Sequence, residues 1–203
     1  MYKKNICNQP IIHHFNNNGH INILFVGGTH GDEPAGYHAL QNYNFNNIPN
    51  INVTVVTMNP CGLDKHVRHN PENNQDINRE YGKNNHHNKI LENLVSKHDF
   101  VFDFHEGYDY HIRNKNSIGS TLSTKDQFDI SKLIIKNLNQ TIFDNDKKFV
   151  MVKDKPMIKG SLRDFCDNIG KPYILIETTR IEDLHIRINK SKIIIDTIIN
   201  YYS

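Results

Sequence analysis

The sequence has few cysteines, and their spacing excludes two common kinds of cross-link. Only three occur, Cys7, Cys61 and Cys166, and none of them forms a Cys-x-x-Cys pair. An odd number of cysteines at such distances indicates neither a disulfide framework nor a zinc knot held by thiolates. We therefore expect three reduced thiols.

Long apolar runs are also missing. The runs at 173–176 and 193–195 are far shorter than the roughly 20 residues that a membrane-spanning helix requires. The first ten residues contain polar side chains and a proline instead of the apolar centre of a signal peptide. These absences predict a soluble, cytoplasmic protein that has no membrane partner.

The chain has no strong excess of positive charge. Its formal net charge is +2 with 13 histidines counted as neutral, and its lysines and arginines form no continuous block. A nucleic-acid-binding protein would show a basic stripe, so no nucleic-acid partner is predicted. A length of 203 residues suits one globular domain with a real core, and we expect a single domain over residues 1–203.

Strand-like and helix-like segments alternate along the chain. Apolar or β-branched runs predict strands, and apolar residues at helical spacing predict helices. The predicted strands are 11–15, 21–26, 51–58, 99–104, 149–152 and 173–176, and the predicted helices are 34–43, 86–98, 126–142, 161–168 and 181–202. The pair Asn18-Gly19 predicts a hairpin between the first two strands. The alternation predicts an α/β fold, a three-layer α/β/α arrangement around a mostly parallel sheet, with ligands bound at the carboxyl ends of its strands.

Two loops that follow predicted strands carry good metal donors. His30 and Glu33 lie three positions apart in the glycine-rich loop after strand 21–26, and His105 follows strand 99–104. Two imidazoles and one carboxylate are a known donor set for catalytic zinc, which keeps a further position open for water. We therefore predict one Zn²⁺ per chain, held by His30, Glu33 and His105.

Further polar residues at strand ends and in the long polar segment 59–85 suit hydrolysis near that metal. Glu177 ends strand 173–176 and is a candidate general base for a water whose pKa the metal lowers. Arg68 is a candidate to stabilise the negative charge that develops on a carbonyl oxygen. Asn78 and Arg79 are suited to grip a substrate carboxylate through two hydrogen bonds.

Taken in order, these motifs resemble those of the zinc carboxypeptidase superfamily, including its succinylglutamate desuccinylase and aspartoacylase branch. The elements that carry the resemblance are His30-x-x-Glu33, Arg68, Asp76-Ile77-Asn78-Arg79, His105, Gly160-Ser161-Leu162 and Ile176-Glu177-Thr178-Thr179-Arg180. The resemblance implies a phosphorylase/hydrolase-like fold and places Leu162 and Arg163 near the specificity pocket. Arg163 and Arg180 there could favour an acidic side chain or a second carboxylate.

The chain also departs from those relatives. The carboxypeptidases proper place a mobile tyrosine some twenty residues before the catalytic glutamate, whereas residues 149–161 contain none, which leaves Tyr108 or Tyr110 as stand-ins. The desuccinylase and aspartoacylase branch adds a C-terminal β-rich domain, but this chain ends about one helix after Glu177. The size of the substrate therefore stays open.

The leading hypothesis is a zinc metallohydrolase that cuts an amide bond next to a free carboxylate, as a carboxypeptidase or an N-acyl amino acid deacylase. Its partner would be a small peptide or an N-acyl amino acid. One alternative is a non-catalytic protein that binds zinc and a carboxylate ligand on the same fold. Another is a phosphate-binding loop at 26–31, which is disfavoured because the loop lacks a Gly-Lys-Ser/Thr ending. Glu106 is expected to be an ordinary surface acid, and Glu177 could instead pair with Arg180.

Overall fold

A seven-stranded sheet forms the centre of the computed structural model, which describes residues 9–16, 18–152 and 157–203. The strand order is β1-β3-β2-β4-β7-β5-β6. Four of the six strand pairs are parallel, while β1 against β3 and β5 against β7 are antiparallel. The strands are β1 (Ile11–Phe15), β2 (Ile21–Gly27), β3 (Ile51–Thr57), β4 (Phe100–Gly107), β5 (Thr121–Thr124), β6 (Val150–Met151) and β7 (Tyr173–Thr179).

Helices cover both faces of this sheet. They are α1 (Pro34–Gln41), α2 (Pro60–Lys65), α3 (His86–Lys97), α4 (Phe128–Gln140), α5 (Leu162–Asn168) and α6 (Leu184–Tyr202). Residues of α1, α4 and α6 share one buried cluster with one face of the sheet, and residues of α3 and α5 share a second cluster with the other face. The predicted three-layer α/β/α arrangement is confirmed.

The period of two along each strand explains why one sheet supports two cores. In β4, Phe102 and Phe104 belong to the first cluster, whereas Val101 belongs to the second. In β2, Phe25 faces the first cluster and Leu24 the second, and both are 0% exposed. A central parallel strand that is buried on both faces must be apolar at nearly every position, which is the pattern of these runs.

The predicted hairpin between the first two strands is wrong. Strand β1 pairs antiparallel with β3 at the edge of the sheet, while β2 lies between β3 and β4. Both edges of β2 are thus occupied by parallel neighbours, so β1 cannot reach it. An Asn-Gly pair reports only a local reversal of the chain and not which strand the returning segment meets.

One of the strands and one of the α-helices were not predicted. Strand β5 has the sequence Thr-Leu-Ser-Thr and pairs antiparallel with β7, but it is short and lacks an apolar run. Helix α2 begins where a turn was expected. The sequence did contain the residues that typically begin a helix. The Asn59 side chain caps the helix by accepting a hydrogen bond from the Gly62 amide, and Pro60 occupies the first helical position.

The cysteines do not all behave as expected. Cys61 is disulfide-bonded, so the prediction of three reduced thiols is wrong at this position. Cys166 is a buried free thiol, and burial raises its pKa. Cys7 lies outside the described residues. Among the helices of the described ranges, none is long and apolar enough to cross a bilayer.

The sheet topology brings the ends of three strands together. Strands β2, β4 and β7 are adjacent and parallel, so their carboxyl ends lie side by side at one edge. The loop that carries His30 and Glu33 follows β2, while His105 and Glu177 each lie two residues before the end of their strand, β4 and β7 respectively. In that register His105 lies directly beside Glu177. The fold therefore collects the predicted donors at one place.

Candidate metal centre

Three side chains, two from the loop after β2 and one from strand β4, converge at this edge of the sheet. His30, Glu33 and His105 each offer one ligand atom, and these atoms all lie within 4.8 Å of one another. The Nδ1 atom of His30 lies 2.9 Å from Glu33 Oε1, and the Nδ1 atom of His105 lies 2.7 Å from Glu33 Oε2. All three side chains are buried, with at most 5% of their surface exposed. The carboxylate thus lies between two imidazole nitrogens in a spacing that could hold a metal ion.

The loop after β2 reaches this position because two glycines permit a tight path. Gly28 has a φ of +64°, which an L side chain rarely adopts. A Cβ atom on Gly31 would lie 2.0 Å from the backbone carbon of Gly62, so only glycine allows the loop to approach α2 this closely. The Glu33 amide then donates to the His30 carbonyl at 3.2 Å, and α1 begins at the next residue.

A carboxylate lies behind each histidine. The Nε2 atom of His30 is 3.1 Å from Asp76 Oδ1, and that of His105 is 3.2 Å from Asp103 Oδ2. Asp103 is 0% exposed and also accepts a hydrogen bond of 2.8 Å from the Tyr173 hydroxyl. Such partners fix the ring orientation and leave Nδ1 as the nitrogen available to a metal.

Sequence reasoning missed the role of Asp103. A signal was available, because a residue two positions before His105 on a strand points to the same face of the sheet. Asp76 was noted only as part of a substrate-binding element, and the structure places it against His30 instead.

The electrostatics of the cluster favour ionised carboxylates. Burial alone would raise the pKa of Glu33, but the charge of His105 and the hydrogen bonds to both histidines hold that pKa well below its usual value. Burial likewise opposes the ionisation of Asp76, and its hydrogen bond with His30 and the charges of Arg79 and Arg68 lower its pKa. A buried carboxylate, Glu33, and a partly buried one, Asp76, that both stay charged create a negative site at which a cation is favoured.

Glu177 lies on the strand next to His105, and both side chains line the same cavity. Its side chain is 4% exposed, and on its other flank Thr121 of β5 is its register partner. Strand β5, which sequence reasoning missed, therefore flanks the strand that carries the candidate base.

Arg68 and Arg79 are two of the arginines that line this cavity. Arg68 donates through Nη1 to Glu33 Oε1 at 2.8 Å and is 34% exposed. Arg79 donates through Nη1 to the Asn78 carbonyl at 2.6 Å, and its Nη2 atom lies 3.9 Å from Asp76 Oδ2. Arg79 is 37% exposed, so both guanidinium groups keep surface that a ligand can contact.

The cavity has a volume of about 400 Å³, and Asn78 and Arg163 also line it. Arg163 donates to the Ser123 hydroxyl at 2.8 Å. Leu162 is different, because its side chain is buried in the second core cluster and its backbone amide donates to Asn78 Oδ1 at 2.9 Å. Leu162 thus acts on the site through its backbone, by fixing the Asn78 side chain.

The two tyrosines considered as stand-ins occupy different places. Tyr108 is 71% exposed and lines the cavity. Tyr110 is 3% exposed, and its hydroxyl donates to Glu182 at 2.8 Å. Of the two, Tyr108 is the one that a ligand in the cavity can reach.

Glu106 is not the surface acid that was expected. It is 3% exposed, accepts a hydrogen bond of 2.7 Å from the Ala35 amide at the start of α1, and forms an ion pair with Arg187 of α6. Burial raises its pKa. Its position next to His105 on β4 sends it to the opposite face of the sheet, where it joins two helices to the strand.

A family comparison matches residues 20–177 to the succinylglutamate desuccinylase/aspartoacylase catalytic domain. The chain belongs to this family. The matched segment of this desuccinylase/aspartoacylase domain begins just before β2 and ends at Glu177. It therefore includes His30, Glu33 and His105. No curated protein matches the chain in a sequence comparison.

Solved structures share the fold of this desuccinylase/aspartoacylase domain at low sequence identity. Tripeptide-bound Csd4, a cell shape determinant of Helicobacter pylori, is 16% identical with a TM-score of 0.80 over 95% of this chain and 55% of that chain. Murein-tripeptide amidase MpaA of Escherichia coli O157 is 15% identical with a TM-score of 0.64 over 88% and 80%. A succinylglutamate desuccinylase/aspartoacylase of Rhodobacter sphaeroides is 16% identical with a TM-score of 0.66 over 90% and 56%. The chain therefore spans about half the length of Csd4.

Proposed function

We propose that this chain is a zinc-dependent hydrolase that cleaves an amide bond next to a free carboxylate. The observation that carries the proposal is the convergence of His30, Glu33 and His105, whose donor atoms lie within 4.8 Å of one another in a cavity that also contains Glu177. Two imidazoles and a carboxylate are one of the donor sets of catalytic zinc. The carboxylates behind both histidines support the assignment, because metal-binding imidazoles usually have such partners.

The surrounding residues have separate roles in the proposed reaction. Zinc, when bound, would supply Lewis acidity and a water of lowered pKa. The Glu177 carboxylate accepts a proton from the attacking water and passes it to the nitrogen of the leaving amine. Arg68 donates an N–H group to the carbonyl oxygen while negative charge develops on it.

Arg79 and Asn78 would hold the free carboxylate of the substrate. The oxygen of the Asn78 side chain already accepts from the Leu162 amide, which leaves the NH₂ group of Asn78 to donate to a ligand. The half-exposed guanidinium of Arg79 adds a charge-assisted donor beside it. Arg163, which also lines the cavity, would contact a second polar group of the substrate.

The cavity favours a small substrate. Its volume of about 400 Å³ lies within the usual range of small-ligand sites, which is roughly 300–1,000 Å³. One Csd4 structure contains a tripeptide, another contains mDAP and describes Csd4 as a D,L-carboxypeptidase, and MpaA is a murein-tripeptide amidase. These neighbours support a short peptide as the first substrate to test, and the family description supports an N-acyl amino acid as the second.

The test combines metal content with turnover. The purified chain should contain about one zinc per molecule. It should hydrolyse members of a panel that includes short peptides with varied C-termini and N-acylated aspartate and glutamate. Glu177→Gln should keep the zinc, and its rate of hydrolysis should fall by roughly 10²- to 10⁴-fold, the usual contribution of a general base.

Two results would count against this function. Full activity in the Glu177→Gln variant would remove Glu177 from the mechanism. Ligand binding without hydrolysis across the whole panel would favour the alternative, a non-catalytic binding protein on the same fold.

A further inference from the structure

Arg180 immediately follows strand β7, and its guanidinium reaches the metal-ligand loop. Its Nη1 atom donates to Asp32 Oδ2 at 2.6 Å, and its Nη2 atom donates to Glu33 Oε1 at 3.3 Å. Its Nε atom donates to the Glu106 carbonyl oxygen at 3.4 Å. Every nitrogen of this guanidinium therefore has an acceptor on the protein.

This arrangement differs from that of the arginine proposed to bind substrate. Arg79 is 37% exposed, whereas Arg180 is 22% exposed and its guanidinium carbon lies 4.9 Å from the centre of the Tyr108 ring. To grip a substrate carboxylate, Arg180 would have to give up hydrogen bonds to two carboxylates of the protein. Its position thus points to a role within the site rather than toward the substrate.

The contacts of Arg180 bear on how Glu33 is oriented. Glu33 Oε2 lies near the Nδ1 atom of His105 and accepts a hydrogen bond of 3.2 Å from the Glu106 amide, while Oε1 accepts from Arg180 and Arg68. Rotation of a glutamate carboxyl group about its last torsion is soft, so external partners must select one orientation. If Arg68 turns toward a substrate oxygen, Arg180 remains to hold Oε1.

Arg180 also joins three separate segments of the chain. Asp32 and Glu33 belong to the loop after β2, Glu106 belongs to β4, and Arg180 itself follows β7, where its amide donates to the Gly107 carbonyl at 2.9 Å. A single side chain thereby fixes the loop of the first ligand pair against the strand that carries His105.

We propose that Arg180 is a positioning residue for Glu33, which aligns this carboxylate for metal binding by holding Glu33 and its neighbour Asp32 at once. The inference rests on the proposed function, because it requires Glu33 to be a metal ligand.

Two effects of removing Arg180 have opposite signs, which makes the inference testable. Arg180 is positive and close to the proposed cation, so Coulomb repulsion alone predicts tighter metal binding when its charge is removed. A positioning role predicts weaker binding, because partners of this kind typically contribute 10- to 100-fold to metal affinity. The direction of the change therefore distinguishes the two effects.

The experiment measures zinc affinity by competition with a chromogenic chelator for the wild-type chain and three variants. Arg180→Gln should bind zinc about 10- to 100-fold more weakly. Arg180→Lys should recover only part of the loss, since an ammonium group cannot contact Asp32 and Glu33 in the same forked geometry. Arg163→Gln is the matched control, because it removes the same charge from the same cavity without a hydrogen bond to Glu33, and its zinc affinity should equal or exceed that of the wild-type chain.

Thermal unfolding of the metal-free proteins shows whether the variants are folded. Equal or tighter zinc binding by a folded Arg180→Gln variant would overturn the inference and leave the proposed function intact. Absence of zinc affinity in the wild-type chain would overturn both.

Discussion

Asp103 offers a direct test of how the fold prepares a histidine for a metal. The Asp103 carboxylate is fully buried, lies 3.2 Å from His105 Nε2 and accepts a hydrogen bond of 2.8 Å from Tyr173. It therefore holds the proton of His105 on Nε2 and leaves Nδ1, which faces Glu33, free to bind a cation. The change to test is Asp103→Asn, which keeps the shape and removes the charge.

The expected size of the effect follows from these contacts. His105 and Tyr173 both contact the same oxygen of Asp103, Oδ2, and a neutral amide oxygen in that place accepts more weakly than a charged carboxylate does. If the NH₂ group of the asparagine faces His105 Nε2, the imidazole proton moves to Nδ1, the wrong nitrogen for metal binding. We expect zinc affinity to fall by about 10- to 100-fold, or roughly 1.4–2.7 kcal/mol.

The assay is competition for zinc between the protein and a chromogenic chelator, at fixed pH and ionic strength. Asp129→Asn is a suitable control because Asp129 is 85% exposed on α4 and forms a surface ion pair with Lys132 at 3.7 Å. Its zinc affinity should not change. An Asp103→Asn variant that is folded and binds zinc as tightly as the wild-type chain would refute the reasoning.

Three other predictions concern substrate binding, pH and the core. In steady-state assays, Arg79→Lys should raise KM about tenfold with a smaller change in kcat. The reason is the loss of one charge-assisted hydrogen bond to the substrate, which contributes roughly 1.5 kcal/mol. An unchanged KM would show that Arg79 does not recognise the carboxylate. Burial lowers the pKa of His98 from its ordinary 6.5, so the unfolded chain binds its proton more readily and the free energy of unfolding should fall as the pH drops through about 6.5. Urea unfolding should show less of this pH dependence in His98→Gln, and an identical pH profile would contradict the assignment. Phe25→Ala should lower the free energy of unfolding by about 3–5 kcal/mol in the same assay, because Phe25 is 0% exposed. Phe143→Ala, at a site that is 96% exposed, should change this free energy little. Similar losses for the two variants would be inconsistent with this core.

The alternation of strand-like and helix-like segments along the chain predicted the fold class and the placement of the donors at strand ends. His30, Glu33 and His105 could be placed because each follows an apolar run, and parallel strands bring their carboxyl ends to the same edge. Local patterns were sufficient here, since the position of each donor relative to its own strand determines where it lies.

Contacts between distant segments could not be predicted in the same way. Strand β5 exists because it pairs with β7, and its own four residues give no strong signal. The burial of Glu106 depends on Arg187, 81 residues later in the chain, and the contacts of Arg180 depend on Asp32, 148 residues earlier. Such partners become visible only when the chain is folded.

His105 and Glu106 are neighbours on β4, so their side chains point to opposite faces of the sheet. The function of each therefore depends on the number of residues that precede it in the strand. One side chain enters the candidate metal cluster and the next supports helices α1 and α6 on the far side of the sheet. Deleting a single residue earlier in the strand would exchange their directions, sending the imidazole toward helices α1 and α6 and the carboxylate toward the candidate metal cluster. Insertions or deletions within β4 should therefore be tolerated only in pairs, while the loop beyond Gly107 escapes this constraint.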